Sequence, residues 1–463
     1  MKPESARDAD RVEGFDIPPL DTPHETGPLH CDTEDAIALQ FASRHAGRVL
    51  FDHDANRWYE WRGSHWQSDG TGLALQFARQ LAREASPKST GKGISSAGFA
   101  RGAETLAQVD RRLATTADRW DREPMLLGTP GGTVDLRTGA TKQACPADKI
   151  TKVAGAAPEP GDPVRWLAFL NEATGGDAEL VRFLRQWCGY CLTGLTSEHA
   201  LLFIYGPGGN GKSVFQNTVT AVLGDYAATA AMETFTESRN DRHSTELAML
   251  RGARVVTANE TEAGRAWAEA KVKTMTGGDP VSARFMRQDN FTFTPQFKLT
   301  VVGNHAPELR NVDDAMKRRF NIVPFFLTPA NPDRDLENKL RAELGRILSW
   351  AIEGCLDWQA NGLIRPAAVV DATADYFDAQ DMIGQWIEER CDTGPAVWEI
   401  PSRAYRDWCD FAKARGGVPG TIQSFTPALG TRGIRSVKSH GVRQYKGLVL
   451  RPHEPNEHGD WPS

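Results

Sequence analysis

Residues 206–213 read Gly206-Pro207-Gly208-Gly209-Asn210-Gly211-Lys212-Ser213, a complete G-x-x-x-x-G-K-S string. Its setting decides the fold. An apolar run, Leu201-Leu202-Phe203-Ile204-Tyr205, leads into it, and residues 214–223 are compatible with a helix. A buried strand that delivers such a loop to a helix start brings backbone N–H groups and the helix N-terminus onto one point, which suits phosphate. The glycines let the backbone curl around an anion, and Lys212 adds a point charge for the β- and γ-phosphates. Ser213 offers a hydroxyl to Mg²⁺. The stretch therefore predicts a nucleoside triphosphate site formed by Gly206, Pro207, Gly208, Gly209, Asn210, Gly211, Lys212, Ser213 and Val214, set in an α/β domain.

At 463 residues the chain has room for about two to four domains. Its charged and apolar fractions are those of a soluble globular protein. No apolar stretch approaches the roughly 20 residues that span a bilayer, and the N-terminus does not read as a signal peptide. The seven cysteines are scattered and odd in number, which points to a reducing compartment: the cytoplasm, and a bacterial host's cytoplasm if the gene is phage- or plasmid-borne. Cys188-Gly189-Tyr190-Cys191 has redox-motif spacing. It lies inside an amphipathic pattern, however, and reads as two small apolar residues on a helix; no second pair completes a metal site.

The net charge of −6 argues against a protein coated in positive potential, but local distribution decides nucleic-acid binding. Acid gathers at the start: Glu4, Asp8, Asp10, Glu13, Asp16 and Asp21. Base gathers at the end, where residues 403–451 hold ten Lys/Arg against two Asp, an excess that a phosphate backbone would satisfy.

Residues 1–33 read as a flexible acidic lead. Residues 34–152 read as an N-terminal α+β domain, with Val49-Leu50-Phe51 and Trp58-Tyr59-Glu60-Trp61 as short strands. The Pro/Gly/Ala-rich run at 153–164 reads as a linker. Helices followed by alternating strands and helices over 165–330 give the α/β core. A helical connector (331–379), a basic module of two helices and a β-hairpin (380–452) and a tail (453–463) complete the chain.

A phosphate loop is common to kinases, GTPases and motors, so the acids that follow it matter. Arg254-Val255-Val256-Thr257-Ala258-Asn259-Glu260-Thr261-Glu262 is an apolar strand with a polar end. Nucleotide hydrolysis needs a carboxylate near Mg²⁺ and a group that orients water, and Glu260 or Glu262 suits either task. A further strand, Phe297-Lys298-Leu299-Thr300-Val301-Val302-Gly303, ends in Asn304, whose amide can bond both γ-phosphate and water. Arg318 and Arg319 open another strand and can neutralise transition-state charge. If they act in trans, the enzyme is an oligomer with nucleotide between subunits.

The order GPGGNGKS, LRGARVVTANETE, KVKTMTGGDPVSARF, FKLTVVGNHAP, DDAMKRRFNIVPF closely resembles the superfamily 3 helicase core of phage and plasmid primase-helicases and the related poxvirus NTPase-primase. WYEWRGSHW and GGTVDLRTGATK resemble the small domain that precedes this core. The resemblance implies an AAA+-like fold and assigns roles: Lys212 and Ser213 on phosphate and Mg²⁺, Glu260 as the Walker B carboxylate and metal ligand, Asn304 as sensor, Arg319 or Arg318 as finger. Asn259 stands where many relatives carry a second acid, so the roles of Glu260 and Glu262 stay open. No primase domain is recognisable.

Between the acidic strand and Asn304, residues 281–293 alternate about a polar turn, a β-hairpin pattern. Family members place a hairpin here in the pore of a ring. Arg287 at the tip, with Lys273 and Arg284, is the expected DNA contact. The basic tail resembles a winged helix. The expectation is a ring-shaped, hexameric 3′–5′ ATP-dependent DNA helicase serving phage, prophage or plasmid replication, with ATP and Mg²⁺. Its partners are single-stranded and forked DNA, copies of itself and a separate primase or polymerase, with no membrane. The rival readings are an ATPase that remodels proteins and one that assembles on origin DNA without processive unwinding.

Overall fold

The computed structural model describes residues 33–86, 93–237, 244–259, 266–284, 290–304, 307–309, 313–415, 419–430, 432–439 and 442–452. The acidic lead up to residue 32, Glu260, Glu262, Arg287 and the tail from 453 lie outside them. At the start, the Thr33 hydroxyl accepts the Ala36 N–H and caps α1 (Glu34–His45). β1 (Val49–Asp52) turns back into β2 (Arg57–Trp61), and the Asp52 carboxylate accepts two turn N–H groups, from Asp54 and Ala55. β3 (Trp66–Ser68), α2 (Leu73–Ala85), α3 (Ala97–Gln108) and β4 (Ala114–Thr115) follow, with β4 parallel to β1. The described residues of 33–60 and 68–117 form one compact unit around Ile37, Phe41, Phe51, Trp58, Phe77 and Leu81.

The second unit comprises residues 61–67 and the described residues from 118 onward. It begins with an antiparallel meander, β5 (Leu126–Thr129), β6 (Gly132–Asp135) and β7 (Ala140–Lys142). Leu127, Val134 and Leu136 share a core with Trp166, Phe215 and Val323, so the boundary drawn at 152 from sequence falls inside this unit. The small residues read as a linker have a different use here. Ala154 is buried, and Gly155 lies so close to the helix that follows the phosphate loop that a Cβ would overlap the Ala221 carbonyl. A flexible tether and a backbone crossing at close range both favour glycine and alanine, so composition alone does not separate them.

α4 (Val164–Ala173) is capped by the distant Glu343 carboxylate, which accepts the Arg165 and Trp166 N–H groups. In α5 (Ala178–Leu192) the Asp177 side chain caps the first turn, and Cys188 and Cys191 are free and buried, as the amphipathic pattern predicts. Next come β8 (Leu201–Tyr205), α6 (Lys212–Leu223), β9 (Ala227–Thr229), α7 (Ser244–Ala248), β10 (Val255–Asn259) and α8 (Glu269–Gly277). β11 (Val281–Arg284), β12 (Asn290–Phe293), β13 (Lys298–Gly303), α9 (Asp314–Arg319) and β14 (Phe320–Pro324) complete the central layer. Its sheet is wholly parallel in the order β14-β8-β13-β10-β9. The order of its five strands places β8 in the middle region, and the chain leaves β8 for the far edge strand β9. Ligands of such sheets bind outside the carboxyl ends, where strand order switches.

α10 (Leu336–Arg341), α11 (Leu344–Asn361) and α12 (Ala367–Gln380) pack around the sheet, and the Thr373 hydroxyl accepts the Ile322 N–H of β14. The C-terminal part runs α13 (Met382–Arg390), β15 (Cys391–Glu399), α14 (Pro401–Ala414), α15 (Ile422–Gly430), β16 (Arg435–Ser439), β17 (Val442–Leu450). Its strands pair antiparallel as β15-β17-β16 over a core of Trp386, Trp408, Phe425 and Tyr445. Among the described residues no helix is long and apolar enough to cross a membrane.

Candidate nucleotide site

β8 is buried along its length and ends at Tyr205, whose carbonyl accepts the Phe325 N–H just past β14. The chain then turns at Gly206, where φ is 156° and a Cβ would overlap the Phe325 carbonyl. Asn210 donates its amide to that same carbonyl, tying the loop crest to the end of the neighbouring strand. Gly209 and Gly211 take left-handed φ values of 80° and 84°, which favour glycine. Gly211 precedes α6 without a side-chain cap, so no side chain satisfies the first N–H groups of that 12-residue helix. This is the geometry that favours an anion.

Lys212 is buried, and its ammonium donates to Gly206 O at 2.7 Å, Pro207 O at 2.6 Å and Asn210 Oδ1 at 2.9 Å. Burial pulls its pKa below the usual lysine value. Three neutral acceptors hold a desolvated charge that a phosphate oxygen would satisfy more strongly. A cleft of about 300 Å³ opens here, lined by residues 208–213 together with Asn259, Val302, Gly303 and Asn304. Lys212, Ser213 and Asn304 are thereby brought together. Gly206 and Pro207 support the loop from beneath, and Val214 lies within α6, where its carbonyl accepts the Thr218 hydroxyl.

Asn259 is the lining residue that the sequence reading left without a role. Its signal was available: it ends an apolar strand, as Asn304 follows one, and parallel strands β10 and β13 deliver both to the same edge of the sheet.

Two family models match the chain, one described as D5 N-terminal-like over residues 38–175 and one of unknown function, DUF5906, over residues 204–319. A protein of Acanthamoeba polyphaga mimivirus named as a helicase is 26% identical over 297 residues, covering 58% of this chain and 31% of its own length. One from Frog virus 3 (isolate Goorha), likewise named as a helicase, is 27% identical over 284 residues, 56% of this chain and 29% of its own. The chain is thus similar to D5-like proteins over residues 38–175 and, over more than half its length, to virus proteins named as helicases. The chain spans less than a third of the length of those curated relatives. The apo A form of the NrS-1 C-terminal region shares its fold, with a TM-score of 0.50 at 10% identity over 89% of this chain and 99% of that one.

The two candidate finger arginines stand apart from the cleft. Register pairs Phe320 with Leu201 and Pro324 with Tyr205, so Arg318 and Arg319 sit at the amino end of β14 while the loop leaves the carboxyl end of β8. Four residue steps of strand separate the two ends, about 13 Å. Arg319 donates to the Thr276 hydroxyl at 3.2 Å and to Ala315 O at 2.8 Å; Arg318 is exposed and donates to Asp314 O at 3.2 Å.

The hairpin expected before Asn304 is present: β11 and β12 pair antiparallel from Val281↔Phe293 to Arg284↔Asn290. Arg284 is exposed at its outer end, next to residues 285–289, which lie outside the described set together with Arg287. Lys273 has a different setting. It is ion-paired with Asp313, the residue that caps α9. Burial raises the Asp313 pKa, but the Lys273 ammonium and the capped N–H groups outweigh it and leave the carboxyl below its usual value.

Proposed function

We propose that this chain is an ATP-dependent DNA helicase of superfamily 3 type, with an AAA+-like core, acting in replication. The observation that carries the reading is the meeting of Lys212, Ser213 and Asn304 in one cleft at the carboxyl ends of β8 and β13. The helicase names of the relatives support it. Lys212 exchanges loop carbonyls for the β- and γ-phosphate oxygens, and the N-terminus of α6 stabilises the same charge. Asn304 orients the attacking water by its amide. Glu260 or Glu262 accepts the water's proton, and Glu260 with Ser213 would hold Mg²⁺. Bound Mg²⁺ supplies charge neutralisation on the phosphate oxygens.

Arg318 or Arg319 completes the site from a neighbouring subunit, because neither reaches the cleft of its own chain. That requirement favours a closed ring, by family likeness a hexamer moving 3′ to 5′, with the β11–β12 hairpin and Arg284 tracking phosphates. The order α13-β15-α14-α15-β16-β17 supports reading the C-terminal part as a winged-helix-like module. ATP turnover measured with and without single-stranded DNA, beside strand separation of a forked duplex, tests the reading. Stimulated turnover with unwinding is expected. Turnover that ignores DNA at low salt sinks the helicase assignment, and stimulated turnover without strand separation favours assembly on origin DNA instead.

A further inference from the structure

Across the C-terminal sheet, Trp398 of β15 pairs in register with Lys446 of β17, and Lys446 pairs with Arg435 of β16. Register partners point to the same face of a sheet. The inward face of the next row is Glu399, Tyr445 and Ser436, of which Glu399 and Tyr445 are buried. The row Trp398–Lys446–Arg435 therefore faces outward, and all three residues are exposed. An indole left 51% exposed forgoes much of the burial that this core gives Trp386 and Trp408. The β-bulge between Thr393 and Trp398 sets this register, and bulges commonly re-aim a side chain.

The charge around it is one-sided. Residues 430–453 contain no Asp or Glu. Elsewhere in the module Arg415 is paired with Glu389, Arg432 with Asp381 and Arg451 with Asp392. Among the described residues, no ion pair involves Arg435, Lys438, Arg443 or Lys446.

We infer that this outward sheet face is a binding site for an unpaired nucleotide of single-stranded DNA, with the base stacked on Trp398 and the flanking phosphates held by Lys446 and Arg435. The strands lie about 5 Å apart, so both cations sit within reach of a base on the indole. Stacking on an aromatic ring between cations is tolerant of sequence, as a strand moving past the module requires. The inference rests on the DNA reading proposed above and assigns that DNA a second contact outside the nucleotide-binding core.

Nucleotide-free binding of the full chain to a labelled oligo-dT and to an abasic strand of equal length tests it. Trp398→Ala should weaken oligo-dT binding about 5- to 150-fold, and Trp398→Phe should restore most of it. The abasic strand should bind wild type and Trp398→Ala alike. Arg435→Ala and Lys446→Ala should each flatten the salt slope by about 0.7. Unchanged oligo-dT binding by Trp398→Ala overturns the inference. So does an altered sedimentation coefficient with affinity intact, which makes the face a subunit contact. Because these isotherms contain no ATP, they fail independently of the helicase reading, which falls only if wild-type turnover ignores DNA.

Discussion

Lys298 lies in the core of the second unit and, among the described residues, has no carboxylate partner. Its ammonium donates to Thr193 O, to Leu195 O at 3.3 Å and to Gln296 O at 3.4 Å, with the Tyr190 ring 4.8 Å away. Arg254, also buried, donates to Leu192 O and Leu126 O. The two cations thus satisfy carbonyls at the end of α5, where the helix dipole is negative. Burial still dominates, and it lowers the Lys298 pKa to about 7. From about pH 7 toward the ordinary lysine value near 10.4, the unfolded chain keeps a proton that the folded chain has released. Stability therefore climbs with pH, by at most about 1.4 kcal/mol per unit. The buried thiols act in the opposite sense. Burial pushes Cys191 up to about 12 and Cys355 to about 11, so above about pH 8.5 the unfolded chain loses protons that the folded chain keeps. Urea midpoints under reducing conditions should peak between about pH 8 and 9. Lys298→Met should abolish the rise and leave the alkaline fall; a rise that persists in that variant counts against the assignment. At the loop, Lys212→Ala should cut ATP turnover by at least about 10²- to 10³-fold, the scale of losing a preorganised charge donor, without shifting those midpoints comparably.

Between elements, α5 and α11 meet backbone to backbone in the core. A Cβ at Gly189 would overlap the backbone of Gly354 and Cys355, and one at Gly354 would overlap the Arg185 carbonyl. Two glycines facing each other let the helices meet backbone to backbone, which anchors α11 beneath the sheet. Gly189→Ala and Gly354→Ala should each cost about 1–3 kcal/mol by forced separation. The double variant should cost less than their sum, because one displacement accommodates both methyl groups; denaturant titration of the three proteins reads both effects. This contact shows what a single sequence hides. Gly189 sat inside a CxxC-spaced pattern, and periodicity marked α5 as a helix without saying which helix would cover it. Elements that declare themselves locally were legible: the strand into Gly206, the hairpin about residues 285–289, and the two helices and hairpin after residue 400. The capping of α4 by Glu343 was not, since about 180 residues separate donor from acceptor. The domain boundary failed for a related reason, because residues 126–136 find their core among side chains far along the chain.

At the scale of the whole molecule, the sheet itself dictates how a complete site can be assembled. Strand identity and loop chemistry located Lys212, Ser213 and Asn304, and their convergence follows from parallel β8 and β13 ending at one edge. The same parallelism puts Arg318 and Arg319 at the opposite edge, since β14 runs alongside β8 in register. A side chain cannot cross about 13 Å of sheet, so no rearrangement that preserves the sheet brings either arginine to its own loop. If the arginines neutralise transition-state charge, each cleft must take them from a second copy. Lys212→Ala and Arg319→Ala should then be inactive for different reasons, the first through its own cleft and the second through its neighbour's. Arg319→Ala should still bind nucleotide, because nothing lining the cleft is altered. Co-assembled in equal amounts, the two variants form some interfaces that pair an intact Lys212 with an intact Arg319. About one interface in four has both groups for random mixing, and the mixture should recover a corresponding fraction of wild-type turnover. Arg318→Ala run through the same mixing experiment separates the two arginines: the one whose loss is complemented is the finger. No recovery with either variant, in mixtures shown to co-assemble, places catalysis within a single subunit and removes the ring from the mechanism.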